Sequence, residues 1–462
     1  MLHGQNTLQN QIDDLLKNDF YKHANIGLSV RNIKSNEILV NVNKDKLMIP
    51  GSTLKIITTF TAYEILGENF RFETKLSHDG YVDSDGILKG NIYIEGSGDP
   101  TLGSERIDGN PGLKVFIKKI ISAIKSKGIT CVEGEIISIN PLINVAPIED
   151  TWQWHDLGNY YATGTWPINI HENLYNINYN RSFPEGQKAK ISYVEPFIPN
   201  LQLTSDVTVA NPESPDNAYI FGPAFEYQKK ITGTIPKGKG LYKVKGAIPD
   251  PPLFLAFLVY QTLGQEGISV SHYKTMEKKP TPTILIYTHT SPPLTDIIKF
   301  TNFNSINLYA DALLQALKPN TDIFANTTIL KEKLFQTGAD TIAMDIKDGS
   351  GLSARNLITA DQMSGFISFH ARHKSAETIQ RMLPAVGKEG TVKNLFKNAD
   401  MQGKMWLKSG SMHRILCYSG IVKGKSGDLY ALSIFLNGSI ATETKINRGE
   451  IEKILQLIYE KS

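Results

Sequence analysis

Cysteine is almost missing from this chain: its 462 residues include two, Cys131 and Cys417. One widely separated pair is no disulfide framework, which excludes a small cross-linked secreted scaffold. The two can pair or can sit as small buried hydrophobes, and the sequence leaves both open. A charge excess is missing too. Lys and Arg number 49 against 46 Asp and Glu, a net charge of +3, so nothing pulls the chain toward nucleic acid or an anionic membrane. The longest unbroken apolar run, Leu253–Val259, falls far short of the ~20 residues of a membrane-spanning helix, so no transmembrane segment is expected. The start, Met1-Leu2-His3-Gly4-Gln5, lacks the basic and apolar stretches of a secretory signal. That fits either a cytosolic protein or a mature chain whose signal has been removed.

Metal and phosphate signatures are absent as well. His370-Ala371-Arg372-His373 stands without a second cluster, and no His-Glu-x-x-His occurs. Asp348-Gly349-Ser350-Gly351 lacks both the spaced acidic ligands of an EF-hand and the Lys-Ser/Thr ending of a P-loop, and reads as a structural turn near a cleft. No metal and no cofactor is expected.

What remains is an ordinary globular composition, 41% hydrophobic and 21% charged, with 37 Gly and 22 Pro marking many turns. The length exceeds what one core usually supports, so two or three domains are expected. Leu8, Ile12, Leu15 and Leu16 recur at helical spacing. Ile26, Leu28 and Val30 alternate as a strand, and a turn at Lys34–Glu37 leads into a second strand, Ile38–Val42. Pro50-Gly51 breaks the chain before a helix that starts at Ser52 and stops at Gly67. From 71 to 285 the texture becomes mostly β, interrupted by helices around 115–124 and 252–263. Helical pattern returns after 290; strands are expected at Met405–Leu407, 415–422 and 429–437; and Ile451, Ile454, Leu455 and Ile458 make a closing helix. The economical arrangement is multidomain α/β (α+β): one domain of residues 1–70 and 286–462, split by an inserted β-rich region, 71–285, of two subdomains.

Three short segments carry chemistry. Ser52-Thr53-Leu54-Lys55 puts a serine and a lysine on one face of a helix's first turn. Alone it is nearly worthless, because an N-cap serine with a solvated lysine looks the same. Ser305-Ile306-Asn307 opens a later helix, and Lys408-Ser409-Gly410-Ser411 follows a strand. In this order the set matches the Ser-x-x-Lys, Ser-x-Asn and Lys-Thr-Gly elements of penicillin-binding proteins and serine β-lactamases. Acyl transfer from a peptide needs a nucleophile, a proton carrier and an oxyanion site. Ser52 supplies the nucleophile, and Lys55 is a base once burial or a neighbouring cation lowers its proton affinity. The Ser305 hydroxyl can relay a proton, the Asn307 amide can hold both Lys55 and a substrate carbonyl, and Lys408 favours a neutral Lys55 while attracting a terminal carboxylate. The hydroxyls of Ser409 and Ser411, with Gly410 between them, can bind that carboxylate.

The resemblance extends further: Pro50–Lys55, Gly96–Pro100, Trp152–Tyr161, Ser291–Leu294, Ser305–Asp311, Asp348–Ser353, Leu383-Pro384 and Gly390-Thr391. Together these resemble the low-molecular-mass class C penicillin-binding proteins, the D-alanyl-D-alanine carboxypeptidase/endopeptidase family of serine peptidases, including its large insertion between the first two motifs. The resemblance implies a transpeptidase-like domain with helices packed on an antiparallel sheet, and an oxyanion hole from the backbone N–H groups of Ser52 and Ser411. It implies hydrolysis of peptidoglycan stem peptides through an acyl-enzyme on Ser52, and β-lactams as covalent inhibitors. The work would lie in the periplasm or cell envelope, with Met1 replacing a removed signal. Asp156, beside Trp152, would grip the free amine of a diaminopimelate-type side chain; a structural turn carboxylate is the alternative. Self-association is compatible with the sequence, and membrane attachment is not decided by it.

Three positions depart from the pattern: Ile306 where Asp is usual, Ser409 for Thr, and Leu395 where an arginine is expected to support an ion pair. None removes a reacting group. Two other functions stay open on sequence grounds. A β-lactamase or esterase would need a base for the deacylating water, and no glutamate is marked for it. A non-catalytic peptidoglycan-binding protein would have no need of both lysines and all the motif serines.

Overall fold

The computed structural model describes residues 2–141, 147–319, 323–396, 399–441 and 444–461. The chain divides into two compact units, one built from Met1–Asn69 and Leu294–Ser462, the other from Phe70–Pro293. Residues 286–293 go with the inserted unit, because the strand Ile284–Thr290 pairs antiparallel with Glu73–His78.

The split unit is built on a five-stranded antiparallel sheet. Its spatial order is Met405–Met412, Ile415–Lys423, Leu429–Asn437, Asn25–Asn32, Ile38–Val42. The N- and C-terminal helices, Leu2–Leu16 and Thr444–Lys461, bury Leu8, Ile12, Ile451, Ile454, Leu455 and Ile458 with strand residues such as Leu28, Leu432 and Leu436. These are the positions at helical spacing in the sequence, and burying each such side chain contributes roughly 1.5–3 kcal/mol.

The helix Ala360–Lys374 packs on the strands Leu429–Asn437 and Asn25–Asn32. Close approach there comes from small residues: Ser29, Ser433 and Ser419 are successive cross-strand partners, and Ser29 Oγ lies 2.8 Å from Ser364 Oγ of the helix. Lys408 is the next partner in that row, opposite Ser419. Directly opposed residues share one face of an antiparallel sheet, so the register itself places Lys408 on the face this helix covers. Helices Lys55–Leu66, Leu294–Asn304, Asn307–Leu317 and Ile323–Gln336 pack together in the same unit.

The inserted unit carries a mixed seven-stranded sheet that includes Glu73–His78, Ile92–Gly96, Cys131–Ile139 and Ser269–Met276, together with three smaller sheets. Helices Leu113–Ser126 and Pro251–Gln265 lie in its core, where Phe116, Ile120, Ile124, Leu255 and Val259 are buried. Cys131, half-buried in this unit, and Cys417, buried in the other, are both free thiols. No helix among the described residues is long and apolar enough to cross a membrane.

Candidate active site

Pro50 and Gly51 turn the chain into a short 3-10 segment, Gly51–Leu54, that runs directly into the helix Lys55–Leu66. Gly51 has φ +51°, a left-handed conformation that glycine adopts without steric cost. Asn437 clamps the approach: its Oδ1 accepts from Ile49 N at 2.8 Å and its Nδ2 donates to Ile49 O at 3.1 Å. Ser52 is therefore held on a turn fixed from both sides, and stays partly accessible.

Lys55 is fully buried. Its Nζ donates to Ser52 Oγ at 3.0 Å, to Asn307 Oδ1 at 2.6 Å and to the carbonyl of Ser350 at 2.6 Å. The ammonium's three donors thus have three acceptors. Burial pushes the amine down to about 8, against the opposing pull of Asp311 and Asp348. Once neutral, the amine can keep Asn307 and Ser350 as acceptors and turn its lone pair to the Ser52 hydroxyl.

Asn307 begins the helix Asn307–Leu317, and Ser305, just before it, has φ +57°. A non-glycine residue there carries a backbone cost of order 1–3 kcal/mol, and such positions cluster at functional sites. Ser305 Oγ accepts from Lys408 Nζ at 2.8 Å, and Lys408 also donates to the Ser409 carbonyl at 2.7 Å. Lys408 is fully buried; that burial, and then the charge of Lys55, hold it well below the usual lysine range.

Strand Met405–Met412 lies against the Gly51–Leu54 turn, and Gly410 permits it. A Cβ on Gly410 would sit 2.6 Å from Pro50 O and 2.9 Å from Ser52 N, closer than real Cβ atoms approach. One on Gly51 would meet Ser411 N at 3.3 Å. The backbone nitrogens of Ser52 and Ser411 are thereby brought to the same turn. Ser409 Oγ donates to Thr391 Oγ1 at 2.7 Å, and Ser411 is exposed.

Trp152 and Asp156 belong to the inserted unit and form their own local arrangement. Asp156 is buried; Oδ2 accepts from Gln153 N at 3.2 Å, and Oδ1 lies 3.4 Å from His155 Nε2. Trp152 is half-buried, while Trp154 is 63% exposed. Arg355 is exposed.

Three contributors escaped the sequence reading. The Ser350 carbonyl holds Lys55; Thr391 receives Ser409; and Asp311 accepts from Gly349 N at 2.9 Å. Asp348 organises the loop between them, accepting from Gly351 N, Ser353 N and Asn356 Nδ2 at 2.7, 2.7 and 2.9 Å. The Gly-rich turn is thus structural and contacts the site through its backbone. Leu395, where an ion-pairing arginine was expected, is 1% exposed and packs in the apolar core with Val386 and Val392.

The fold is that of the penicillin-binding-protein type of serine peptidase. The family model described as the D-Ala-D-Ala carboxypeptidase 3 (S13) family matches residues 8–458, and the chain belongs to that family. D-alanyl-D-alanine carboxypeptidase DacB of Haemophilus influenzae is 23% identical over 446 residues, spanning 94% of this chain and 90% of that protein. A D-alanyl-D-alanine carboxypeptidase of Actinomadura sp. (strain R39) is 24% identical, covering 93% of this chain and 81% of its own. The crystal structure of penicillin binding protein 4 from Haemophilus influenzae superposes with a TM-score of 0.84 at 22% identity, covering 97% of this chain and 99% of that one.

Proposed function

We propose that this D-Ala-D-Ala carboxypeptidase-family chain cleaves peptidoglycan stem peptides at Ser52. The observation that carries this reading is the 3.0 Å contact between Ser52 Oγ and the buried Nζ of Lys55, an amine pushed down to about 8. Lys55 takes the Ser52 proton as Oγ attacks the penultimate D-alanine carbonyl. Asn307 orients the lysine and the substrate amide. The backbone N–H groups of Ser52 and Ser411 receive the developing oxyanion; one such donor is worth ~3 kcal/mol, or roughly a hundredfold in rate. The C–N bond breaks as Ser305, held by Lys408, relays that proton from Lys55 to the departing amine, which leaves Lys55 neutral again. Water then hydrolyses the ester and restores Ser52.

In this reading the split unit is the catalytic domain and the hydroxyls of Ser409 and Ser411 bind the terminal carboxylate. Asp156 and Trp152, in the inserted unit, favour a stem peptide bearing a free amine. The site of action is the periplasm or cell envelope. β-Lactams present a strained amide to the same nucleophile and remain attached.

Peptide mass mapping after benzylpenicillin tests the reading. The Ser52 peptide should carry the penicilloyl mass and Ser52→Ala should carry none; an unmodified Ser52 peptide in folded wild-type protein would refute it. Release of D-alanine from a diaminopimelate-containing pentapeptide, compared with a cross-linked muropeptide, then separates carboxypeptidase from endopeptidase action. Asp156→Ala should lose the preference for the amine-bearing substrate.

A further inference from the structure

Behind Lys55 lies a carboxyl to which the mechanism above gives no part. Asp311 stands one helical turn beyond Asn307 and is buried. Its Oδ1 accepts from Gly349 N at 2.9 Å. Thr58, on the nucleophile helix, donates from Oγ1 to the carbonyl of the same Gly349 at 2.7 Å. The peptide units on either side of Gly349 are therefore pinned, one by Asp311 and one by Thr58. The next carbonyl along, that of Ser350, accepts from Lys55 Nζ. Gly349 is itself tightly enclosed, since a Cβ there would meet Ala310 O and Leu314 Cβ at 2.9 Å.

We infer that Asp311 is a positioning residue for Lys55: its carboxyl fixes the loop whose carbonyl receives the lysine Nζ, and supplies negative charge that holds the ammonium form. The inference rests on Ser52 and Lys55 acting as nucleophile and base. Two carboxyls lie near Lys55, and their environments differ. Asp348 accepts two backbone N–H groups and an amide N–H. Asp311 is pushed well above the usual carboxylate range by burial and then by Asp348, while Lys55 and the Ser350 hydroxyl pull it back. Its charge is thus responsive to that of Lys55. Of the other charged groups nearby, Lys408 lies within electrostatic reach of Lys55, and Glu64 on the nucleophile helix is occupied by Lys333 and His370.

Asp311→Asn separates charge from shape, because the amide oxygen still accepts from Gly349 N. The readout is the pH profile of Ser52 acylation by benzylpenicillin, followed by intact mass on the full chain. A carboxylate stabilises the ammonium, so its loss lowers the proton affinity of Lys55. The acid limb should move to lower pH by about one unit. Asp311→Ser, also uncharged, should move it the same way and serves if the asparagine variant does not fold. A limb that stays put in a folded variant, or moves to higher pH, overturns the inference and leaves the Ser52 reading intact. A wild-type protein that is never acylated overturns both.

Discussion

Lys408 donates from Nζ to Ser305 Oγ at 2.8 Å, joining a sheet residue to a serine held in a left-handed backbone conformation. The pair is the counterpart of Lys55 and Ser52, which stand 3.0 Å apart. Two buried lysines each address one hydroxyl, and the charge of Lys55 disfavours protonation of Lys408.

This arrangement makes Ser305→Ala informative. It removes the proposed relay but leaves Ser52, Lys55 and the hydroxyls proposed to bind the carboxylate in place. Loss of a positioned proton carrier costs roughly a hundred- to ten-thousandfold in rate. Acylation of Ser52 by benzylpenicillin should slow by about that factor with little change in thermal stability. Stopped-flow quenching or time-resolved mass analysis measures it, and a rate within a few-fold of wild type would exclude Ser305 from the proton path.

As the proposed base, Lys55 should set the pH dependence. With the amine pushed down to about 8, the neutral base falls about tenfold for each unit of acidification below that value, and is nearly complete above it. Acylation should therefore rise with pH at unit slope and level off near 8, provided the fold persists. Lys55→Arg keeps a cation that does not deprotonate, so its acylation should drop by about a thousandfold or more and lose the pH limb. A flat profile in wild type between pH 6 and 8 would remove Lys55 as the base.

How far the sequence was legible follows from where each signal resides. The terminal helices were readable because Leu8 and Ile12, and Ile451 through Ile458, face one apolar layer and leave a clean period. Helix Ala360–Lys374 was not singled out, although Met363, Phe366 and Ile367 are buried on it, because Ser364, Ser368 and other small or polar residues interrupt the apolar pattern. Its start was nonetheless marked: Thr359 and Gln362 form a reciprocal capping box that side-chain spacing alone could have revealed. In the site, Ser52, Lys55, Asn307 and Lys408 were legible because their side chains do the contacting. The carbonyl of Ser350 and the enclosure of Gly410 were not, since backbone contacts leave no residue-type signature. Leu395 was legible as a departure from the family pattern; that the core itself fills the position was not.

Gly410→Ala tests how closely the sheet must approach the nucleophile. The added Cβ would fall 2.6 Å from Pro50 O and 2.9 Å from both Ser52 N and Thr53 N, all backbone atoms that cannot rotate away. Strand and turn must separate, which displaces the Ser411 nitrogen from that of Ser52. Losing one oxyanion donor costs about a hundredfold or more. Acylation should fall by at least that much while circular dichroism stays native. A fully active alanine variant would mean that the two backbones do not need this contact.

Leu395→Arg, which installs the residue expected from the family pattern, should harm this chain. Leu395 is 1% exposed among Val386, Val392 and Phe396. An arginine there must bury its guanidinium or force the segment outward. A buried charge without a partner costs roughly 3–5 kcal/mol, and the wider side chain adds packing strain. The prediction is a clear loss of thermal stability in calorimetry, with no gain in acylation rate. The Leu395→Met control, nearly equal in volume, should cost less than about 1.5 kcal/mol. Were the arginine variant as stable as wild type and faster, an ion pair across this segment would be recoverable, and the apolar packing at Leu395 would be a substitute for it. With the segment enclosed by aliphatic and aromatic side chains, the physical expectation is the reverse: the arginine would loosen the segment that follows the Gly390–Val392 turn, and with it Thr391, the acceptor for Ser409.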